Sequence, residues 1–262
     1  MENKLIGIKS GRNFRELGGY QTSNGKTIKM HKILRSGHLA ELDDVDIGLL
    51  KNYQLKYDID FRSKEEVEKE PDRVPEGVQY LYNPVFSSDL TDNSKSIDEL
   101  LEETDSDPNF GFNNMMLSYE DIVTSSDAQH AYRTFFQFLL ENTEEKETLL
   151  FHCTAGKDRT GMGAVFLLNA LGVDFSTIKQ DYLLSNVTTK ENYDRLTKLV
   201  LDRGGDENTV QAVQALMRVD ERYLNHAMNI INNNYGGLNE YTKNIFGMDH
   251  DNISQLRDIY LA

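Results

Sequence analysis

The 262 residues include 28 lysines and arginines against 43 aspartates and glutamates, a formal charge of −15, and 39% of the side chains are apolar. A chain of this length and balance can bury a sizeable core and is not collagen-like, low-complexity or wholly disordered. Its charge repels a polyanion at long range, so no nucleic-acid partner is expected, and no apolar run approaches the ~20 residues that cross a bilayer.

In chain order, the first feature is a basic segment. Residues 1–39 hold Lys4, Lys9, Arg12, Arg15, Lys26, Lys29, Lys32 and Arg35 against only Glu2 and Glu16. Such a segment in an acidic chain is either a local anion-attracting face or a solvated surface. Tyr20 to Ile28 predicts a hairpin turning at Asn24-Gly25. Leu42 to Tyr53 predicts a helix, with Leu42, Val45, Leu49 and Leu50 on one face. In Leu55 to Phe61, apolar residues alternate with Lys56, Asp58 and Asp60, the period of a strand. Val78 to Val85 predicts a second strand. Residues 87–110 hold eight acids and one lysine; with Met115, Met116 and Leu117 behind them, 87–127 is expected to be an insertion or a lid. Ala128 to Leu140 predicts a helix, Thr148 to Phe151 a buried parallel strand, and Thr160 to Leu171 a helix apolar nearly all round. Leu224, Ala227, Met228 and Ile231 mark a late helix ended by Gly236-Gly237. Strands separated by helices give an α/β class, with extra helices in the second half. No repeat or Pro/Gly/Ser linker divides the chain, so one domain over 1–262 is expected.

The single cysteine, Cys153, excludes an internal disulfide and any zinc site built on several thiolates. The opening MENKLIGIKSGRN has no apolar signal core, which predicts a cytoplasmic protein; a secreted form with its signal removed stays open, because one cysteine makes no disulfide in either compartment.

Cys153 opens the most informative stretch, Phe151-His152-Cys153-Thr154-Ala155-Gly156-Lys157-Asp158-Arg159-Thr160-Gly161, between a predicted strand and a predicted helix. A short strand-to-helix loop can turn its backbone N–H groups inward as an anion nest, and the helix adds the positive end of its dipole. In that setting a thiolate is stabilised, which makes Cys153 the candidate nucleophile. Thr154, Ala155, Gly156 and Lys157 would line the nest. Arg159 can present a planar fork to two oxygens of an anion. Gly156 permits close backbone approach, Thr160 can donate to the sulfur as it departs, and His152 is suited to orienting the loop.

HCTAGKDRTG resembles the phosphate-binding loop of the cysteine-dependent protein-tyrosine phosphatases, pattern H-C-x5-R-[ST]. The chain more closely resembles the bacterial family of mycobacterial protein-tyrosine phosphatase B and the listerial lipid-active phosphatase. SGRNFRELGG (10–19), ILRSGHL (33–39), DIDFRSKEE (58–66), DYLLSN (181–186) and YGGLNEY (235–241) carry the likeness along nearly the whole chain. The resemblance implies a phosphatase fold: a central, mostly parallel sheet flanked by helices, with an N-terminal hairpin and extra helices. It implies phosphomonoester hydrolysis through a phosphocysteine, with no metal and no cofactor, and inorganic phosphate as product. Asn13, Arg15, Arg35 and Ser36 would shape or border the site.

The reaction also needs a proton donor for the leaving oxygen. The chain has no tryptophan, so a Trp-Pro-Asp acid loop is absent in its literal form. Asp158, favoured by the resemblance, and Asp60, at the end of a predicted strand, are both candidates. Asp158 could instead only shape the loop, Asp60 could be a structural partner of Arg62, and Asp58 is expected to be structural. Lys157 adds positive charge suited to a second phosphate, as in phosphoinositide phosphatases with a GK-x-R loop, unless it merely reaches water. The expected substrates are phosphoproteins, phosphotyrosine first, or phosphoinositides. The competing reading is a catalytically silent phospho-ligand binding module of the same fold. Redox or sulfur-transfer chemistry shares the layout, but the chain offers no resolving cysteine.

Overall fold

The computed structural model describes residues 6–88, 107 and 109–262. Its sheet contains β1 (Arg15–Glu16), β2 (Ile33–Ser36), β3 (Leu55–Asp60), β4 (Gln79–Tyr82) and β5 (Thr148–His152), in the order β1-β2-β5-β3-β4. β1 runs antiparallel to β2, and the other neighbours are parallel. β5 therefore lies in the middle with its carboxyl end between those of β2 and β3, the end where open parallel sheets place their sites.

Eleven helices are found among the described residues: α1 (Asp44–Asn52), α2 (Lys64–Lys69), α3 (Phe110–Thr124), α4 (Ser126–Glu141), α5 (Arg159–Leu171), α6 (Phe175–Thr188), α7 (Lys190–Asp202), α8 (Glu207–Met217), α9 (Glu221–Tyr235), α10 (Leu238–Phe246) and α11 (His250–Tyr260). Both faces of the sheet are covered. Leu149 and Phe151 enter the larger core, while Leu150 joins Phe14, Leu34 and Leu50 in a smaller one. This two-sided burial explains why β5 reads as an unbroken apolar run. α5 is buried on nearly every side, as its composition predicts, and ends on left-handed Gly172.

The predicted hairpin is present as a Gln21–Thr27 bridge around Gly25, and its arms are tied to Val173 and Leu261. In α1, contrary to expectation, Val45 points to solvent at 72% exposure. Asp46 turns inward in its place, because its carboxylate receives the backbone N–H groups of Lys9 and Ser10 at 3.1 and 2.7 Å.

The alternation in β3 is that of a strand, as predicted, and its Asp58 and Asp60 are both fully buried. They share a charge cluster with Asp72, Arg62 and His152. Arg62 pairs with Asp60 at 2.8 Å and with Asp72 at 2.5 Å, and His152 Nε2 stands 3.2 Å from Asp58 and 3.3 Å from Asp72.

Within the stretch 87–127, residues 89–106 and 108 lie outside the described residues. The part that follows is α3, whose Met115, Tyr119, Ile122 and Val123 are in the core, while Leu117 faces out.

Candidate active site

The loop Cys153–Asp158 joins β5 to α5, as the sequence predicts, and Arg159 is the first helical residue. Its carbonyls are held from outside. The Thr154 carbonyl accepts from the His38 N–H at 3.2 Å. The Ala155 carbonyl accepts from Asn13 Nδ2 at 3.1 Å, and that of Gly156 from Asn13 Nδ2 and Arg35 Nη2, each at 2.8 Å. In a planar trans peptide the N–H points opposite the C=O. Three consecutive carbonyls fixed outward therefore turn the N–H groups of Ala155, Gly156 and Lys157 toward the loop centre, where an anion would sit.

Gly156 is required twice over. Its φ is +68°, and a Cβ there would lie 2.3 Å from the Ser36 carbonyl oxygen. Gly156→Ala is expected to lower stability by about 1–3 kcal/mol, combining left-handed strain with overpacking; a thermal melt equal to wild type would contradict this close fit.

Arg159 is fully buried and pairs in fork fashion with Glu66, Nη1 to Oε2 at 2.6 Å and Nη2 to Oε1 at 2.7 Å. The second Glu66 oxygen also receives the Thr154 hydroxyl. Glu66 is aimed by its own helix start: Ser63 and Glu66 form a capping box, with the Ser63 N–H donating to Glu66 Oε2 at 2.8 Å. Burial alone would raise the Glu66 carboxyl, but Arg159 and these hydrogen bonds outweigh it and hold it down to about 2.

A second charged group backs the loop. Asp181 of α6 pairs with Arg35 at 2.6 Å and Arg15 at 3.1 Å, and accepts from the Tyr20 hydroxyl at 3.0 Å. Burial opposes its ionisation, and the two guanidinium groups overcome that to hold it at about 2. Two buried arginines against one carboxylate leave positive charge beside the loop. Asn13 and Arg35 donate to the loop's backbone, the Ser36 carbonyl packs against Gly156, and Arg15 reaches the loop only through Asn13 and Asp181.

His152 is fully buried. Burial pushes its imidazole down, but Asp60, Asp72 and Asp58 raise it well above the ordinary range, which favours the charged form of the ring beside Cys153. Its Nδ1 lies 3.4 Å from the Cys153 carbonyl oxygen, consistent with an orienting role and not a basic one. Asp58, Asp72 and His152 bring three ligand-type atoms together, but the positive charge there comes from His152 itself and Arg62.

Asp158 is buried and leaves the N-cap bond of α5 unused. One oxygen accepts the Tyr119 hydroxyl at 3.0 Å and the other the Lys157 ammonium. Burial and the Asp158 charge raise Tyr119 well above its ordinary value, so it stays a donor. Asp60, the other candidate acid, is committed elsewhere: it accepts from Arg62 N, Nε and Nη2 and from Tyr80 at 2.9 Å. The structure therefore places Asp158 in the loop and uses Asp60 as Arg62's partner.

Lys157 neither reaches water nor extends over the site. Its side chain is buried, and the ammonium donates to Asp158 and, at 2.7 Å, to the Leu216 carbonyl. The Thr160 hydroxyl is buried with no hydrogen-bond partner among the described residues, which leaves it available to a ligand or to sulfur.

Sequence reasoning missed Glu66, Tyr119 and Asp181 as parts of the site. For Glu66 a local signal existed, the Ser63-x-x-Glu66 box. Tyr119 had only its apolar helical neighbours; Asp181 opens the segment DYLLSN, which marks the position but not its partner, and the partners of the two are 39 and 146 residues away.

Comparison with known proteins agrees with this geometry. The model of the tyrosine phosphatase family matches residues 6–262. A Cupriavidus necator protein, a tyrosine-protein phosphatase by provisional name, is 30% identical over 95% of this chain and 86% of its own. The triple specificity protein phosphatase PtpB of Mycobacterium tuberculosis is 27% identical over 95% of this chain and 96% of its own. A tyrosine-protein phosphatase of Nostoc commune is 28% identical over 60% of this chain and 49% of its own. With a family match along almost all of its length, the chain belongs to the tyrosine phosphatase family.

Proposed function

We propose that the enzyme hydrolyses phosphotyrosine in proteins through a phosphocysteine intermediate, with Asp158 as general acid and then general base. The observation that carries this is the outward anchoring of the Thr154, Ala155 and Gly156 carbonyls beside Cys153. It supports a ring of N–H donors that, with Arg159, grips the three equatorial phosphoryl oxygens as charge spreads over them.

In the first step the Cys153 thiolate attacks phosphorus and the P–O bond to the tyrosine breaks. The Asp158 carboxyl gives its proton to the departing phenolate. The Tyr119 hydroxyl keeps the carboxyl in place. In the second step water attacks phosphorus, Asp158 takes its proton, and the S–P bond breaks to return thiolate and phosphate. Thr160 donates to the sulfur as it leaves. No step calls for a metal. A reduced cytoplasmic setting suits a single working thiol.

A relative bears a triple-specificity name, and we include phosphoserine and phosphothreonine as secondary substrates. Phosphoinositides are left out of the proposal, because the lysine that suggested them has its ammonium on Asp158 and Leu216.

The test is an acid quench during turnover. Phosphate bound to the Cys153 peptide is expected by mass spectrometry, whereas tight phosphopeptide binding with no phosphate release would favour the silent binding module. Asp158→Asn should lower kcat about 10²-fold for phenyl phosphate and far less for p-nitrophenyl phosphate, whose leaving group needs no proton. An equal loss on both would remove Asp158 from the acid role.

A further inference from the structure

The basic N-terminal segment is only partly explained by the loop. Arg15 and Arg35 are buried behind it. Lys32 is buried with its ammonium on the Asn142 and Glu144 carbonyls, and Lys29 reaches the Asp258 and Ile259 carbonyls. Of the others, Lys9 and Arg12 line a cleft of about 350 Å³ with Ser10, Thr188, Glu191 and Arg195.

This cleft lies against the outer wall of the catalytic loop. The Arg12 carbonyl accepts from the Gly37 N–H at 2.9 Å, and a Cβ on Gly37 would meet both Thr154 O at 2.9 Å and Arg12 Cβ at 3.3 Å. On its other side, the Thr188 hydroxyl donates to Asn13 Oδ1, and Asn13 holds the Ala155 and Gly156 carbonyls. Ala155 is the one residue of Cys153–Asp158 that is not fully buried. The cleft therefore borders the Arg12–Gly37 and Asn13 contacts that hold the loop.

Its charges are of two kinds. Arg12 is paired with Glu41 across the rim. Lys9 and Arg195 are exposed, and neither side chain has a salt-bridge partner among the described residues. They come from opposite walls, the N-terminal strap and α7, with Ser10, Thr188 and Asn192 between them as neutral hydrogen-bonding groups.

We infer that this cleft is a specificity subsite for a carboxylate side chain next to the phosphotyrosine of a peptide substrate, read by Lys9 and Arg195. The inference rests on the phosphatase reading above. A peptide suits the cleft better than a lipid surface does. Glu41 and Glu191 stand among the cations, and the chain as a whole carries −15, so an anionic bilayer would be repelled while a single carboxylate fits between two cations.

The experiment compares kcat/KM for two phosphotyrosine peptides that differ only in Glu or Gln at the flanking positions. An exposed ion pair is worth up to about a fivefold change, so wild type should prefer the Glu peptide by about 3- to 10-fold, less at high salt. Lys9→Glu with Arg195→Glu should abolish or invert the preference, and Lys9→Arg with Arg195→Lys should keep it. Equal rates on both peptides by an enzyme that turns over p-nitrophenyl phosphate would overturn the subsite and leave the phosphatase reading intact. An unchanged preference in the charge-reversed variant would also overturn it. So would binding to phosphatidylcholine–phosphatidylserine vesicles that the charge reversal abolishes. An enzyme inert on every phosphate ester would overturn the phosphatase reading and the subsite together.

Discussion

Cys153→Ser is expected to lower turnover of p-nitrophenyl phosphate by on the order of 10⁴–10⁶, the cost of removing a nucleophile that acts as one unit with its surroundings. A serine hydroxyl is a far weaker nucleophile at neutral pH, and no base stands beside it. His152 faces Asp58, Asp60 and Asp72, which hold its imidazole well above the ordinary range and turn its ring nitrogens toward carboxylates. The anion nest does not depend on sulfur: it is built from backbone N–H groups fixed by Asn13, Arg35 and His38. Binding of vanadate or phosphopeptide should therefore persist while catalysis disappears. Titration calorimetry with the variant checks the first half and steady-state assay the second. A serine variant with more than about one hundredth of wild-type activity is incompatible with covalent catalysis at this position.

Arg159→Ala has the second largest effect, and it acts on rate and stability together. Loss of the fork removes charge stabilisation from the transferring phosphoryl group, on the order of 10³–10⁵ in kcat by analogy with other phosphoryl-transfer arginines. It also strands the Glu66 carboxylate in the interior, which costs about 3–5 kcal/mol. The pH dependence has a definite sign. In wild type the carboxyl is depressed from its ordinary 4.5 to about 2. The pair's contribution is complete above the ordinary value and fades as pH falls toward 2. Without the guanidinium, burial is the dominant influence and raises the carboxyl instead. The variant should be most destabilised near neutrality, with the gap narrowing below about pH 5 as Glu66 takes up a proton. Denaturant titrations of both proteins across that range measure the gap; a gap that widens toward acid would refute the role given to Glu66. Arg159→Lys should recover part of the stability and little of the rate, since an ammonium satisfies the charge but not the planar fork.

What could be read in advance was what the chain encodes locally. β5, the loop and α5 are contiguous, and each has its own signature: a short apolar run, a glycine that permits close backbone approach, a helix apolar on nearly all sides. Their succession as strand, loop and helix in a mostly parallel sheet followed. The parts that were not legible depend on partners far away in sequence. Asp60 at a strand end looks equally like an acid or a structural ion. Only the Arg62 and Tyr80 contacts, which occupy both its oxygens, show the structural use. Lys157 looked like a cation for ligands because its neighbours are ligand-binding, and nothing nearby announces that the Leu216 carbonyl of α8 will take its ammonium. Val45 was misplaced because helical spacing counts apolar residues and overlooks a carboxylate such as Asp46 that earns burial through hydrogen bonds.

The clamp formed by Arg15, Arg35 and Asp181 has a consequence for biosynthesis. Two of its members emerge early from the ribosome, but the third lies in α6, after the nucleophile itself. A nascent chain that has just released Cys153 still lacks the carboxylate that holds its arginines in position, so the reactive geometry cannot form until synthesis has passed well beyond the loop. Domains complete long-range contacts of this kind late. Chains that end before α6 are therefore expected to carry Cys153 without the carboxylate that fixes Arg15 and Arg35.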